Sequence, residues 1–192
     1  MNLIFARYVR KNQLIILFVT VCVSIVFYWI FARLPFKSWK EEVMLNDGRK
    51  ITVDQKRRVE GQNAREAWLR IELPEISSES IEWHENLIPL VVNIDKDRLY
   101  VIGWPKTDRE SRKYGFTKPP YVGFVLENGI FVRIPFQQIP RTIYATNMLI
   151  DDFPPAGTNF LSISDKNSPI FNGRRLMPAS LLRIDPDLGC FC

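Results

Sequence analysis

Histidine occurs once in the 192 residues, and that scarcity removes more chemistry than any other count. One imidazole cannot build a two-histidine zinc site such as H-E-x-x-H, and His84 is the sole candidate for an imidazole base. Within "IEWHENLIP" a strand would point His84 away from Trp83, toward solvent, and nothing in the sequence places an acid beside its ring. Cysteine occurs three times, too rarely for a disulfide scaffold, and Cys22 lies inside a hydrophobic run. No serine sits in G-x-S-x-G, and neither a phosphate loop nor a dinucleotide fingerprint occurs. The adjacent carboxylates Glu41-Glu42 and Asp151-Asp152 would point to opposite sides of an extended chain, an arrangement ill suited to sharing a proton. Glu41-Glu42 is expected to solvate a strand and Asp151-Asp152 to sit in a loop. The expectation is a non-catalytic protein without cofactor or metal; the alternative is an enzyme whose carboxylates are brought together by folding.

A strong excess of one charge is also missing. Of 26 Lys and Arg, three precede the hydrophobic run, which leaves 23 against 21 acids for the rest. That balance is no electrostatic footprint for nucleic acid, and no nucleic-acid partner is expected. Local basic spots remain at "QKRR" (Gln55–Arg58) and Arg174-Arg175, expected as a solvated turn or strand edge.

What is present begins with "LIILFVTVCVSIVFYWIFA", nineteen residues without a charge from Leu14 to Ala32. At 1.5 Å per residue the run reaches roughly 28 Å, close to a bilayer's hydrocarbon thickness. It is longer than the core of a cleavable signal, and bulky aromatics stand where a signal peptidase needs small residues. The expected partner of this segment is therefore the lipid bilayer. Arg7, Arg10 and Lys11 favour a cytoplasmic N-terminus, and Tyr28, Trp29, Phe31, Phe36 and Trp39 form an interfacial belt beyond. The expected organisation is a cytoplasmic tail over 1–12, a transmembrane helix over 13–33, a linker over 34–40 and an extracytoplasmic domain over 41–192, in a bacterial inner membrane with that domain periplasmic. The reverse topology would leave a cytoplasm-facing domain that senses lipid or a partner.

Beyond the linker, short runs of Val, Ile, Leu and aromatics alternate with Asp, Asn, Gly and Pro. The expected strands are Val43–Leu45, Lys50–Val53, Ala67–Leu73, Ile81–Trp83, Leu87–Ile94, Leu99–Gly103, Tyr121–Leu126 and Ile130–Phe136. The fold class that follows is mainly β, a hairpin meander forming a small sandwich or partly open barrel. One or two short C-terminal helices are expected within Gln137–Ile150 and Ala179–Ile184. Side-chain parity sets the hairpin loops. A three-residue loop at Asn46-Asp47-Gly48 puts Val43 opposite Ile51 and gathers Val43, Leu45, Ile51 and Val53 on one face. The same argument predicts a three-residue loop at Glu127-Asn128-Gly129, with Val122, Phe124 and Leu126 opposite Ile134, Val132 and Ile130.

Between Trp104 and Tyr121 lie sixteen polar, proline-bounded residues, "PKTDRESRKYGFTKPP". Loops of that length without regular structure are uncommon and usually functional or disordered. Lys106, Arg109, Arg112, Lys113, Tyr114, Phe116 and Lys118 make it the candidate contact loop for an envelope protein partner. At the C-terminus, "LGCFC" offers Cys190 and Cys192 as a candidate disulfide in an oxidising periplasm, or as a packed or free pair.

"SWKEEVMLNDGRKITV" resembles an opening, W-x-E-x-V-x-L-x-D-G-R, found in small proteobacterial membrane or envelope proteins without an assigned activity. "IEWHENLIPLVVNIDKDRLYVIGWP" and "YGFTKPPYVGFVLENGIFVRIPFQQIP" are similar to later segments of the same proteins, so the likeness spans about Ser38 to Pro140. It implies a bacterial protein with a small β-rich domain, leaves host or mobile-element origin open, and carries over no functional residue. The combined expectation is a single-pass, membrane-anchored binding or scaffolding protein.

Overall fold

The computed structural model describes residues 19–24, 36–61 and 63–188. It divides into two compact units, residues 1–35 and 36–192. In the first, residues 19–24 are helical. The rest of the expected anchor Leu14–Ala32, the tail 1–12 and the cysteines 190 and 192 lie outside the described residues. Among the described residues no helix is long and apolar enough to cross a membrane.

The second unit is mainly β, with three sheets and a few short helices. The strands are β1 (Phe36–Met44), β2 (Lys50–Glu60), β3 (Asn63–Ile71), β4 (Ile81–Glu85), β5 (Ile88–Asp95), β6 (Arg98–Trp104), β7 (Val122–Glu127) and β8 (Ile130–Ile134). Helix α1 (Asp108–Lys113) separates β6 from β7, and β9 (Phe160–Leu161), α2 (Ile163–Asn167), β10 (Ile170–Phe171) and β11 (Arg174–Arg175) follow. All eight expected strands are present. Residues 36–40, expected as linker, instead form the first half of β1, because Trp39 continues the buried parity of Glu41 and Val43.

The first sheet runs β4-β3-β2-β1-β9, the second β5-β6-β7-β8, and β10-β11 form a small third. The two larger sheets share the main apolar cluster: Val43, Val53, Leu69, Ile71 and Trp83 from one, Val92, Leu99, Val101, Val122 and Phe124 from the other. Trp83 meets Phe124 edge to face across it, ring centroids 5.7 Å apart. The other face of the second sheet is also buried, under Ile139, Ile143, Tyr144, Ile150 and Ile184 of the C-terminal segment. Glycine permits close approach on each side. A Cβ at Gly103 would lie 2.8 Å from Leu87 Cβ, and one at Gly123 would lie 2.5 Å from Ile139 Cδ1.

The two hairpins separate on this point. In the first, Val43 lies opposite Ile51, Leu45 N–H donates to the Arg49 carbonyl, and Gly48 takes φ +84°, as parity predicts. In the second, Glu127 pairs with Ile130 and Val125 with Val132, so the loop has two residues. Asn128 and Gly129 both have positive φ, as a type I′ turn needs. The parity prediction fails here because it assumes one buried face, whereas β7 is buried on both. Val122 and Phe124 face one cluster and Val125 the other. The expected long loop 105–120 carries α1, and the expected C-terminal helices are single 3-10 turns at Phe136–Gln138, Arg141–Ile143 and Ala179–Leu181.

Candidate functional site

Two of the charges expected on the surface are the most buried in the domain. Parity along β1 and β2 points Trp39, Glu41, Gln55 and Arg57 inward, beyond the apolar half of the same face, and Glu41 and Arg57 are fully buried. "QKRR" is thus no solvated turn, and Glu41 does not solvate its strand, because the 147–153 segment covers this half of the sheet. Arg57 donates to the carbonyls of Leu149 (2.9 Å), Asp151 (2.6 Å) and Asp152 (3.1 Å), and through Nε to Gln55 Oε1 (2.9 Å). Gln55 Nε2 donates in turn to Glu41 Oε1 at 2.6 Å, and Glu41 Oε2 accepts the Leu149 N–H at 3.2 Å. Burial pulls the Arg57 guanidinium down to about 10, against the opposing pull of Glu41, Asp152 and Asp151. Lys166, also buried, donates to the Asn147 carbonyl at 2.5 Å; burial lowers its pKa, while Glu41 and Glu42 act the other way. Every carbonyl used belongs to a segment with no strand to pair with, so these side chains substitute for a missing ladder.

Beside this network a cavity of about 470 Å³ opens between the second sheet and the C-terminal segment. Leu90, Ile150, Ile184, Trp104 and Tyr121 supply apolar wall. The far wall is held by an isolated bridge between Ala145 and Arg183, by Ile184 N–H to the Tyr144 carbonyl (2.8 Å), and by the Thr146 hydroxyl on the Leu182 carbonyl (2.9 Å). Burial raises the Tyr121 phenol, partly offset by a backbone hydrogen bond from Asp185. Charges also line the cavity. Lys106 Nζ lies 2.7 Å from Asp152 Oδ2, while Asp152 Oδ1 accepts the Ala64 N–H. Asp151 Oδ2 accepts the Met177 N–H and Asp185 Oδ1 the Asp187 N–H, each at 2.9 Å. Exposed Met177 and Leu182 extend the apolar surface outward. The arrangement suits an amphipathic ligand, an apolar body with a polar end.

The residues of the candidate contact loop are dispersed by the fold. Lys106 faces the cavity, in its ion pair with Asp152. Tyr114 is a core residue whose hydroxyl donates to Glu85 Oε2 (2.5 Å) and accepts the Asn86 N–H (3.1 Å). Lys113 lies 3.3 Å from Glu85, and Arg109 is 3.9 Å from Glu60. Arg112, Phe116 and Lys118 are exposed, Phe116 at φ +48°. α1 itself is tied down by Glu110, which takes a hydrogen bond from Thr107 and an ion pair from Arg65 at 3.1 Å. Cys190 and Cys192 lie outside the described residues.

His84 is exposed, and the fold does bring an acid to it. Its Nε2 lies 2.6 Å from Glu66 Oε1, and its ring stacks on Trp68 at 4.4 Å. Among the described residues no three His, Cys, Asp or Glu are grouped to hold a metal ion. The cavity residues Thr146, Ile150, Arg183 and Asp185 have no motif in the sequence. Only proximity of two non-strand segments creates the wall, and no local pattern encodes that. Compared with family models, curated proteins and solved structures, the chain matches none.

Proposed function

We propose that the chain is a single-pass, membrane-anchored, non-catalytic envelope protein whose sandwich-like β domain binds an amphipathic ligand in the cavity beside Tyr121 and Ile184. Its N-terminus is cytoplasmic and its domain periplasmic, and the bilayer is met through Leu14–Ala32. One observation carries the binding assignment: a cavity of ligand size, about 470 Å³, with mostly apolar walls and charges beside them. The contact role of the 105–120 loop narrows accordingly to Lys106, with Arg109, Arg112, Phe116 and Lys118 left for a protein partner.

Displacement of the neutral dye N-phenyl-1-naphthylamine by single-chain amphiphiles tests the cavity. Wild type should take up the dye, and Ile184→Trp, which fills the space, should lose most of that uptake. Equal uptake by the variant would place the dye elsewhere and end this assignment. Reporter fusions at the C-terminus, one active only outside the cytoplasm and one only inside, test the topology.

A second reading draws on the two carboxylates, Asp151 and Asp185, that line the same cavity. Each already uses one oxygen to hold a backbone N–H, which favours turn-holding over acid–base chemistry. Unaltered dye uptake in Asp151→Asn and Asp185→Asn would leave that reading alive.

A further inference from the structure

The solvent face of the first sheet carries its side chains in ordered rows. Strand register sets Lys40 beside Asp54, Asp54 beside Arg70, and Arg70 beside Glu82, a row of alternating charge across β1, β2, β3 and β4. The neighbouring row reads Ser38, Lys56, Trp68, His84, and the next begins with Phe36, Arg58 and Glu66. Alternation of this kind is ordinarily explained within one molecule, since opposite charges on adjacent strands attract. That explanation covers half of the charged row. Lys40 and Asp54 form an ion pair at 3.1 Å. Arg70 and Glu82, though directly opposite in register and both exposed, form no ion pair or hydrogen bond among the described residues, and both border an open groove of about 380 Å³.

We propose that this face is an interface with a second copy of the chain, related by a two-fold axis running parallel to the strands. Such an axis reverses the order of each row while keeping each row level with its counterpart. Lys40 then faces the partner's Glu82, and Asp54 faces the partner's Arg70. The two charges without a partner in one molecule acquire one from the other. The adjacent rows are complementary under the same operation. Lys56, which already lies 4.3 Å over the Phe36 ring, faces the partner's Trp68, and Arg58 faces the partner's Glu66. A two-fold axis lying along the rows would instead set Lys40 on Lys40, so the charge pattern selects one symmetry. That symmetry also keeps both Phe36 ends on the same side, as two chains anchored in one membrane require. This point and the gain from membrane confinement rest on the anchored reading; the charge pairing does not.

Four strands about 4.8 Å apart give a face roughly 20 Å wide, at the small end of specific interfaces. Confinement of both copies to one membrane raises their effective concentration and offsets the modest area.

Charge exchange between copies separates contacts within a molecule from contacts between molecules. Asp54→Arg sets the new arginine against the partner's Arg70, and Arg70→Asp sets the new aspartate against the partner's Asp54. Each variant alone should lose the two-copy species at least tenfold, read by native mass spectrometry of the full-length chain in detergent with reductant present. Mixing the two variants restores both pairings in a mixed dimer, so the two-copy species should return. Lys40→Glu mixed with Glu82→Lys repeats the test at exposed positions should either first variant misfold. A monomeric wild type, single variants that dimerise like wild type, or a mixture no better than its components would each overturn the proposal.

Discussion

Arg57 and Arg58 are consecutive residues of β2, yet they live in opposite physical regimes. Arg57 is sealed inside, spread over three carbonyls and a glutamine, with its pKa pulled down by burial. Arg58 stands on the other face, 2.8 Å from Glu66 and partly in water. Glu41 and Glu42 repeat the contrast on β1, one fully buried, the other near Lys50 at 3.5 Å. Inside, a charge must be met by fixed partners, because desolvation is costly and water cannot compensate for a lost one. Outside, solvent screens each pair and can replace it. The difference teaches that charge alone does not mark this domain's surface.

The largest effect expected from breaking the contrast is on the inner side. Glu41→Ala leaves Arg57 buried without its acid and should cost about 3–5 kcal/mol, read as a drop in the urea midpoint. Replacing both, Glu41→Leu with Arg57→Met, should cost at least as much as Glu41→Ala alone, since the carbonyls of Leu149, Asp151 and Asp152 and the Leu149 N–H then lose their side-chain partners. A loss under about 1 kcal/mol for Glu41→Ala would mean that the 147–153 segment is held by something else. Tyr114→Phe is the intermediate case. It leaves the Asn86 N–H and Glu85 without the phenol and should cost about 1–2 kcal/mol by the same assay. Arg58→Ala, on the outer face, should cost no more than about 1 kcal/mol, and less as salt is added.

Two titrations sharpen the comparison further. Lys166 has a folded pKa below its ordinary value, so the unfolded chain holds the proton longer as pH rises. Stability should therefore increase as pH climbs through the lowered value toward the ordinary lysine range, and Lys166→Met should abolish that alkaline gain in denaturant melts. Asp47 shows the opposite sign on the exposed first turn. Its hydrogen bonds from Arg49 hold its carboxyl below the usual range, so its small contribution is present at neutral pH and lost as acid protonates it. NMR titration of Arg49→Ala should show the Asp47 carboxyl moving back up.

The same contrast governs what could be read from residues alone. Strand positions were legible because alternation and turn residues mark them, and the first hairpin was legible in register because only one face of β1 and β2 is buried. Parity failed at the second hairpin for the corresponding reason: β7 is buried on both faces, while β8 is largely exposed. Glu41 and Arg57 share the parity of Val43 and Val53, so their inward direction was available in the pattern. Their burial was not, because it depends on residues 147–153 arriving from a hundred positions away. The motif W-x-E-x-V-x-L-x-D-G-R acquires a physical meaning here: Trp39, Glu41, Val43 and Leu45 are its buried face, Asp47 and Gly48 lie in its turn, and Arg49 closes that turn opposite Leu45. The cavity had no such signal, since its walls meet only through tertiary packing.

Asn147 holds the two large sheets at once. Its side chain accepts the Val92 N–H and donates to the carbonyls of Val92 and Met44, while its own N–H reaches the Leu90 carbonyl. During synthesis the chain emerges from its N-terminus, so β1 to β8 all precede position 147. Until then the inner charges of β1 and β2 and the outer face of the second sheet have no cover. The segment around Asn147 is therefore a keystone in time as well as in space: a nascent domain stays open, and exposed to proteases and chaperones, until that segment has emerged.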